Sequence, residues 1–260
     1  MDVPKDIVDL VRSSGNNFHA RVARWLSEQG WHVIVSPYYM DQVQNKAREI
    51  DLIAERLWPT TDYAGRRNGD IAVRLFVECK FVSSYSVFWF ADKDMESAKK
   101  LVCSTSGFRA NNSYTKEHHY LSQGERVAKL FATKSKKEPD KEIFYKAVNQ
   151  VLNAMTSMSK RPVSIPGVKI ENRSLQEVME FPVVICSSFE KMFSVDFYTE
   201  TVPTLIENNF QFEVDYAFIE KSGNQRTNYF LLDFVEFDQL SKYFEGISKD
   251  AEALAILSSD

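Results

Sequence analysis

The chain has 260 residues and a net charge of −4, and 44% of its residues are hydrophobic, 13% aromatic and 26% charged. This composition is ordinary for a globular protein and excludes intrinsic disorder, collagen, coiled-coil and disulfide-scaffold classes. No apolar run approaches the roughly 18 residues of a membrane helix, and the N-terminal sequence lacks the apolar stretch of a secretory signal. Three widely spaced cysteines fit neither a disulfide nor a metal pattern and favour a reducing cytoplasm.

Charge is distributed unevenly along the chain. Residues 93–146 carry 12 Lys and Arg and 7 Asp and Glu, a net +5, whereas residues 171–260 carry 6 and 17, a net −11. A basic middle beside an acidic C-terminal third is compatible with one face that meets phosphates. It is equally compatible with two oppositely charged parts of the chain that pack together, or with an acidic surface that binds a protein partner.

The first part of the sequence predicts helices followed by three strands. Apolar residues at helical spacing predict helices over 4–13 and 18–29, the second of which ends at Gly30. β-branched and aromatic residues predict strands at 31–40, 49–57 and 71–82, and a polar stretch at 59–70 predicts a turn. This order favours a meander with a helix covering one face.

The rest of the sequence extends this to a mixed α/β layer fold. Segments 104–117 and 130–142 are predicted as a loop and a charged surface connection. We expect three further helices, at 91–103, 143–155 and 238–257. We also expect a strand buried on both faces at 181–188 and a hairpin formed by 210–220 and 227–237.

The most informative charged residues lie in two of the apolar strands. Alternate side chains of a strand share a face, so Glu78 and Lys80 point the same way. If the strand of Asp51 pairs antiparallel with theirs, the Cβ atoms of Asp51 and Glu78 approach to roughly 5 Å. Two such carboxylates repel each other unless a cation lies between them, and Mg²⁺ commonly binds through one or two carboxylates plus a substrate phosphate. Lys80 would reach the same pocket, where an ammonium group can orient a water molecule and offset phosphate charge.

The same three residues are also compatible with solvated cross-strand ion pairs, each of which stabilises little. Their setting favours the functional interpretation. Phe76 and Val82 flank Glu78 and Lys80 on the same face, and partly buried charges are costly unless they are paired or bound to a metal.

Four short segments follow one another in a recognisable order: Asn16-Asn17-Phe18-His19, Gly30-Trp31-His32-Val33, Glu49-Ile50-Asp51-Leu52-Ile53 and Phe76-Val77-Glu78-Cys79-Lys80. Together they resemble the PD-(D/E)XK, or restriction-endonuclease-like, nuclease superfamily, most closely its Mrr-like and resolvase-like branches. The resemblance covers about residues 15–82 and, weakly, the helix at 143–155. It implies an α/β fold with a central mixed β-sheet flanked by helices.

The resemblance also implies how the chain is organised. Residues 1–260 would form a single nuclease-like domain with a restriction-endonuclease-like core at about 15–82 and 143–190. An inserted middle segment would occupy about 83–142, and a C-terminal α+β extension about 191–260.

The activity implied by the resemblance is metal-dependent cleavage of DNA by a water molecule that Mg²⁺ activates, with Mn²⁺ as an alternative metal. Asp51 and Glu78 would be metal ligands, the Cys79 backbone carbonyl a third ligand, and Lys80 the catalytic lysine. Two alternatives remain open, a catalytically inactive nucleic-acid-binding module and an interaction subunit of a defence or repair complex. A homodimer would suit cleavage of both strands, and no membrane association is expected.

Two further residues are candidates for this site. Many relatives carry Glu in the first core helix where this chain has His19, whose imidazole suits Mn²⁺ or Zn²⁺ better than Mg²⁺ and can shuttle a proton near pH 7. The alternative is that His19 caps the helix or lies at its exposed edge. Gln150, in the helix after the strand of Glu78, is either a peripheral site residue or a plain surface glutamine.

Basic residues outside this site are candidates for binding DNA phosphates, since Lys and Arg supply most of the sequence-independent affinity. The alternative for each of these residues is a position in a solvated loop that does not contact DNA. The candidates are Arg66, Arg67, Lys134, Lys136 and Lys137. The adjacent His118 and His119 have no Cys or carboxylate at ligand spacing, and the sequence favours no special role for them.

Overall fold

The computed structural model describes residues 3–41, 44–62, 64–110, 112–134, 143–159, 162–165, 175–220 and 223–258. No helix within these ranges is long and apolar enough to cross a lipid bilayer.

The described chain contains seven α-helices and twelve strands, and the first six strands and the last five strands each follow one another without an intervening helix. A 3₁₀ turn, Phe237–Gln239, leads into the last helix. The α-helices are α1 (Lys5–Ser13), α2 (Gly15–Glu28), α3 (Met95–Thr105), α4 (Ser113–Glu117), α5 (His119–Ser122), α6 (Ile143–Met158) and α7 (Leu240–Leu257). The strands are β1 (His32–Val35), β2 (Tyr38–Asp41), β3 (Lys46–Glu49), β4 (Leu52–Thr61), β5 (Arg67–Lys80), β6 (Ser86–Asp92), β7 (Arg126–Thr133), β8 (Leu175–Cys186), β9 (Met192–Asp196), β10 (Thr204–Leu205), β11 (Phe210–Ile219) and β12 (Gln225–Glu236).

Ten of these strands form one mixed sheet in the order β1-β4-β5-β8-β12-β11-β7-β6-β9-β10, and β2 and β3 form a separate ribbon. At its centre β5, β8 and β12 run parallel, whereas β4 pairs antiparallel with β5. Because the three central strands point the same way, their C-terminal ends meet at one edge of the sheet. The start of β4 lies at this edge as well.

Helices cover both faces of the sheet, as the mixed α/β prediction requires. The first face, which we call the α7 face, includes Leu52 and Val77 and is covered by α2 and α7. The second, which we call the α6 face, includes Ile53 and Phe76 and is covered by α6. The amphipathic pattern of α2 matches this packing, since its buried residues Phe18, Val22 and Leu26 lie on one side of the helix.

Several predicted boundaries are wrong for local reasons. The predicted strand at 31–40 is two strands, because Ser36 has a positive φ of 51° and Pro37 follows it. The predicted turn at 59–70 is mostly strand, since β4 and β5 continue with polar residues to a hairpin tip that is exposed at 64–68. The predicted loop at 104–117 contains α4, and the predicted connection at 130–142 begins with the end of β7.

The middle and C-terminal segments are integral parts of the sheet. β6 and β7 come from the expected insertion at 83–142, and β9 to β12 come from the expected extension at 191–260. β12 lies between β8 of the expected core and β11. The structure therefore interleaves strands from all three segments in one sheet.

Candidate functional site

Asp51 lies where the chain enters β4 at the edge of the sheet. Its backbone carbonyl accepts a hydrogen bond from the Ser36 N–H at 2.8 Å, which ties it to the end of β1. The next residue, Leu52, is in register with Val77 on the antiparallel strand β5. This register places Asp51 beside Glu78, on the α6 face.

Two short polar contacts lie among the predicted site residues, one from Asp51 to Cys79 and one between Lys80 and Glu78. The Asp51 Oδ2 atom accepts a hydrogen bond from the Cys79 backbone N–H at 2.7 Å. The Lys80 Nζ atom donates to Glu78 Oε2, also at 2.7 Å. The side chain of Glu78 is 0% exposed and that of Lys80 is 14% exposed. The alternative of solvated surface ion pairs is therefore wrong for Glu78, which is fully buried.

Burial dominates the electrostatics of Glu78. It raises the pKa of this carboxyl from 4.5 to about 7, and the nearby Asp51 carboxylate adds to the rise while the Lys80 ammonium opposes it. The second carboxyl oxygen, Oε1, is buried and has no hydrogen-bond partner. A carboxylate in this state gains from any cation that reaches Oε1, because ionisation without a partner is costly.

The pKa of Lys80 is raised as well, but for an amine this shift favours the charged form. Its burial disfavours the charged ammonium, but the carboxylates of Glu78 and Asp51 outweigh burial, and the pKa of Lys80 is raised above its ordinary value of 10.5. The amine is therefore charged at neutral pH. A charged amine can stabilise negative charge on a phosphate, whereas it cannot act as a base.

The donor atoms fit a hard divalent cation. Carboxylate oxygens are the donors that Mg²⁺ prefers, and the unpartnered Glu78 Oε1 is available for one. The Cys79 peptide lies between the two acids, with its N–H bound by Asp51. Its carbonyl is the third donor that the resemblance implies.

Gln150 lies on the same face of the sheet as Glu78. It belongs to α6, and its Nε2 atom donates to the backbone carbonyl of Glu49 at 3.1 Å, two residues before Asp51. The Tyr39 hydroxyl donates to the Gln150 carbonyl at 3.3 Å. The Gln150 Oε1 atom is buried without a partner, so this glutamine is not a plain surface residue.

His19 lies on α2, which packs on the α7 face, opposite to Glu78. Its Nε2 atom is buried and has no hydrogen-bond partner. Among the hydrogen bonds of the described residues, none joins His19 to Asp51, Glu78 or Lys80. The structure thus brings Gln150, but not His19, to the face that carries the two acids.

The predicted DNA-contacting residues lie at very different distances from Lys80. Arg66 and Arg67 lie at the tip of the β4–β5 hairpin, where they pair with Asp62 and Asp70. The length of β5, at about 3.3 Å per residue, puts this tip roughly 40 Å from Lys80. The tip therefore cannot contact the same phosphate as Lys80.

Lys134 is much nearer. It is exposed, and its backbone N–H donates to the carbonyl of Tyr85 at 2.9 Å. Tyr85 follows Lys80 by five residues, which span at most about 18 Å of extended chain. Lys136 and Lys137 lie outside the described residues.

A second buried polar cluster, which the sequence did not predict, surrounds His119. Its Nδ1 and Nε2 atoms lie 2.5 Å from Asp250 Oδ2 and 3.1 Å from Asp233 Oδ2. The Tyr243 hydroxyl donates to the same Asp233 oxygen at 3.0 Å. The adjacent His118 places its Nε2 atom 3.6 Å from Asp250 Oδ2.

The two histidines of this cluster differ in charge. Burial lowers the pKa of His118 to about 3. Burial disfavours charge on His119 too, but the carboxylates of Asp233 and Asp250 outweigh it and raise the pKa of His119 to about 9. That the pair has no special role stays a prediction, although His119 is buried against two acidic partners that lie 114 and 131 residues away in the sequence. No local spacing could have indicated them.

Comparison of the chain with protein-family models, with curated proteins and with solved structures gives no match. The geometry of the two clusters is therefore the basis for assigning a function.

Proposed function

We propose that this chain is a divalent-metal-dependent DNA endonuclease with a restriction-endonuclease-like core. One observation carries the proposal. Asp51, Glu78 and Lys80 converge at the edge of the sheet, and the buried Glu78 Oε1 atom has no partner within the described protein. Burying a carboxylate in this way is costly in an ion pair that has only a structural role. Buried charged groups of this kind are typical of catalytic and binding sites.

Asp51, Glu78 and the Cys79 carbonyl would hold Mg²⁺ or Mn²⁺, which would supply Lewis-acid activation of the scissile phosphate and of water. The chain itself contributes fixed geometry and charge. The Cys79 N–H orients the Asp51 carboxylate. Lys80 carries the positive charge that offsets negative charge developing on the phosphate in the transition state.

Substitutions at Lys80 and Glu78 test this proposal. Lys80→Met keeps the apolar stem without the charge, and Glu78→Gln keeps the shape without the carboxylate. We expect each to reduce Mg²⁺- or Mn²⁺-dependent cleavage of plasmid DNA by at least about 100-fold, the scale of removing one transition-state donor. Circular dichroism should remain that of the unsubstituted protein. Lys100→Met, at an exposed pair on α3, is the matched control.

Cleavage at an unchanged rate by both variants would rule out the assignment.

A second candidate function, DNA binding without cleavage, is favoured by the closed contact between Lys80 and Glu78, which neutralises the buried carboxylate without a metal. A mobility shift of DNA that is never accompanied by cleavage, with Mg²⁺ or Mn²⁺ present, would support this candidate instead.

A further inference from the structure

The cluster around His119 is separate from the proposed nuclease site. Asp233 is in register with Val183 on β8, which is in register with Val77 on β5. Val77 and Val183 belong to the α7 face, whereas Glu78 points to the α6 face. The sheet therefore lies between the two clusters, and a ligand of one does not contact the other.

We propose that His118, His119 and Asp250 bind a divalent transition-metal ion, for which Zn²⁺ is the best match. One ligand atom from each of these buried residues lies within 4.8 Å of the other two, a grouping found once among the described residues. Two imidazoles and one carboxylate form a donor set that suits Zn²⁺ better than Mg²⁺. The fourth position of a tetrahedral ion would be open to water or another ligand.

The present distances are close to those that such an ion requires. Zn–N and Zn–O bonds of about 2.0–2.2 Å put neighbouring tetrahedral ligands roughly 3.3–3.5 Å apart. His118 Nε2 and Asp250 Oδ2 already lie 3.6 Å apart. His119 Nδ1 and Asp250 Oδ2, at 2.5 Å, have to separate by about 1 Å.

An atom without a hydrogen-bond partner and an existing second layer of contacts both suit a bound ion. His118 is 1% exposed, and its Nε2 atom has no hydrogen-bond partner. His119 Nε2 faces the Asp233 carboxylate, which also accepts from the Tyr243 hydroxyl. A carboxylate on the outer nitrogen of a histidine is the arrangement that orients histidine ligands in metalloproteins.

Without an ion, protons hold the cluster together. His119 carries a proton on each nitrogen, and His118 carries its proton on Nε2 because Nδ1 accepts from the Tyr120 N–H at 3.1 Å. When a metal binds, the proton on His119 Nδ1 is released to solvent, and the His118 proton moves from Nε2 to Nδ1. The Tyr120 N–H then loses its acceptor at the start of α5. The free energy lost with one helix-capping hydrogen bond is small compared with the free energy of binding a structural zinc ion.

The second layer of the cluster borders a cavity. A cavity of about 770 Å³ is lined by Asp233 and Tyr243 and by Gln211, whose amide donates to the His119 carbonyl at 3.4 Å. The Gln211 Oε1 atom is buried and has no partner. An ion can therefore reach the second layer of the cluster through this cavity.

Metal titration tests the proposal independently of nuclease activity. Metal-free protein carrying Glu78→Gln, which disables the first site, is titrated by calorimetry with Zn²⁺ and by visible absorption with Co²⁺. We expect one ion per chain and the intense Co²⁺ bands of tetrahedral coordination. His118→Gln and Asp250→Asn should each weaken binding at least 100-fold, and His32→Gln, at a histidine outside the cluster, should leave it unchanged.

Asp233→Asn keeps all three proposed ligands, so it tests the site even if the ligand variants fail to fold. It should retain one site per chain with affinity lowered about 10- to 100-fold, as other substitutions in the second layer do. The absence of Zn²⁺ binding by the Glu78→Gln protein would overturn the proposal, and so would unchanged binding in folded His118→Gln and Asp250→Asn variants. In either case the cluster would be a proton-held ionic network only.

Discussion

The carboxylate of Asp51 is held by the backbone N–H of Cys79 at 2.7 Å, across the boundary between β4 and β5. The position of this acid is therefore set by the pairing of two strands and not by its side-chain rotamer alone. Glu78 and Lys80 flank the same peptide. The Cys79 N–H thus holds Asp51 next to the strand segment that carries Glu78 and Lys80.

Substitutions at Asp51 should separate catalysis from stability. Asp51→Asn keeps an oxygen that accepts from the Cys79 N–H, so we expect a small change in the free energy of unfolding together with the loss of metal-dependent cleavage. Asp51→Ala leaves that N–H unpaired and should cost a further 1–3 kcal/mol, approximately the penalty for an unsatisfied buried group. Urea denaturation and cleavage assays measure the two effects.

Glu96→Gln, an exposed substitution on α3, serves as the control for both assays. Cleavage by Asp51→Asn at the unsubstituted rate would remove Asp51 from the site. Equal stability of Asp51→Asn and Asp51→Ala would mean that the contact with Cys79 contributes nothing.

The raised pKa of Glu78 predicts a specific dependence of stability on pH. The carboxyl ionises near pH 4.5 in the unfolded chain and near pH 7 in the metal-free folded chain. Between these values the folded state keeps a proton that the unfolded state has lost, so the free energy of unfolding falls as the pH rises. The total contribution is on the order of 3 kcal/mol at most.

Urea denaturation of the metal-free protein between these two pH values measures the slope. In Glu78→Gln the group no longer titrates, and the difference between the two curves isolates its contribution from that of other residues. Parallel curves for the two proteins would show that Glu78 is not the source.

A buried arginine stabilises the far part of the same hairpin. Arg74 donates to Glu55 at 2.7 Å and to Glu180 at 2.8 Å, joining β4, β5 and β8. Glu55 is 1% exposed. Arg74→Met leaves this carboxylate buried without its cation, and we expect a loss of about 3–5 kcal/mol in the free energy of unfolding.

A second substitution provides the internal check on Arg74. Adding Glu55→Gln to Arg74→Met removes the uncompensated charge and should recover part of the loss in thermal and urea denaturation. Lys100→Met breaks an ion pair that is exposed on α3 and should leave stability unchanged. If Arg74→Met is no more destabilising than Lys100→Met, the network is not a stabilising feature.

DNA length should distinguish the predicted phosphate contacts. A duplex of 8 base pairs spans about 27 Å, which is shorter than the distance from Lys80 to the tip with Arg66 and Arg67. On this duplex, Lys134→Ala should weaken binding and lower its dependence on salt, whereas the double variant of the two arginines should behave like the unsubstituted protein.

On a duplex of about 24 base pairs both sets of substitutions can act, since that length covers the tip as well. Fluorescence anisotropy at several salt concentrations provides the measurement. If the arginine variant weakens binding to the short duplex, the site is not at the edge that carries Lys80.

The sequence was most predictive where a pattern is local. The strand alternation at Glu78 and Lys80, the amphipathic face of α2 and the apolar run in β8 follow directly from neighbouring residues, and the structure confirms these elements. The grouping of Asp51 with Glu78 needed only one further assumption, that adjacent strands pair antiparallel, and β4 and β5 do so.

Features that depend on distant pairing could not be predicted in this way. The pairing of β12 with β11 follows the predicted hairpin, but nothing in the local sequence specifies that β12 also pairs with β8. His119 meets Asp250 only because α7 packs over the same face. At Ser36 the positive φ could not be predicted, whereas Pro37 is a local sign of the break that the predicted strand at 31–40 passes over.

The central location of β12 has a consequence for synthesis on the ribosome. β8 is buried on both faces, and residues such as Val183 and Val184 are 0% exposed, yet the strand beside it emerges only after about forty more residues have been translated. If β5 and β8 pair as they emerge, β8 presents an unpaired apolar edge until β12 is made. Chaperone binding during translation, or slow maturation after release, would protect this edge from pairing with another copy.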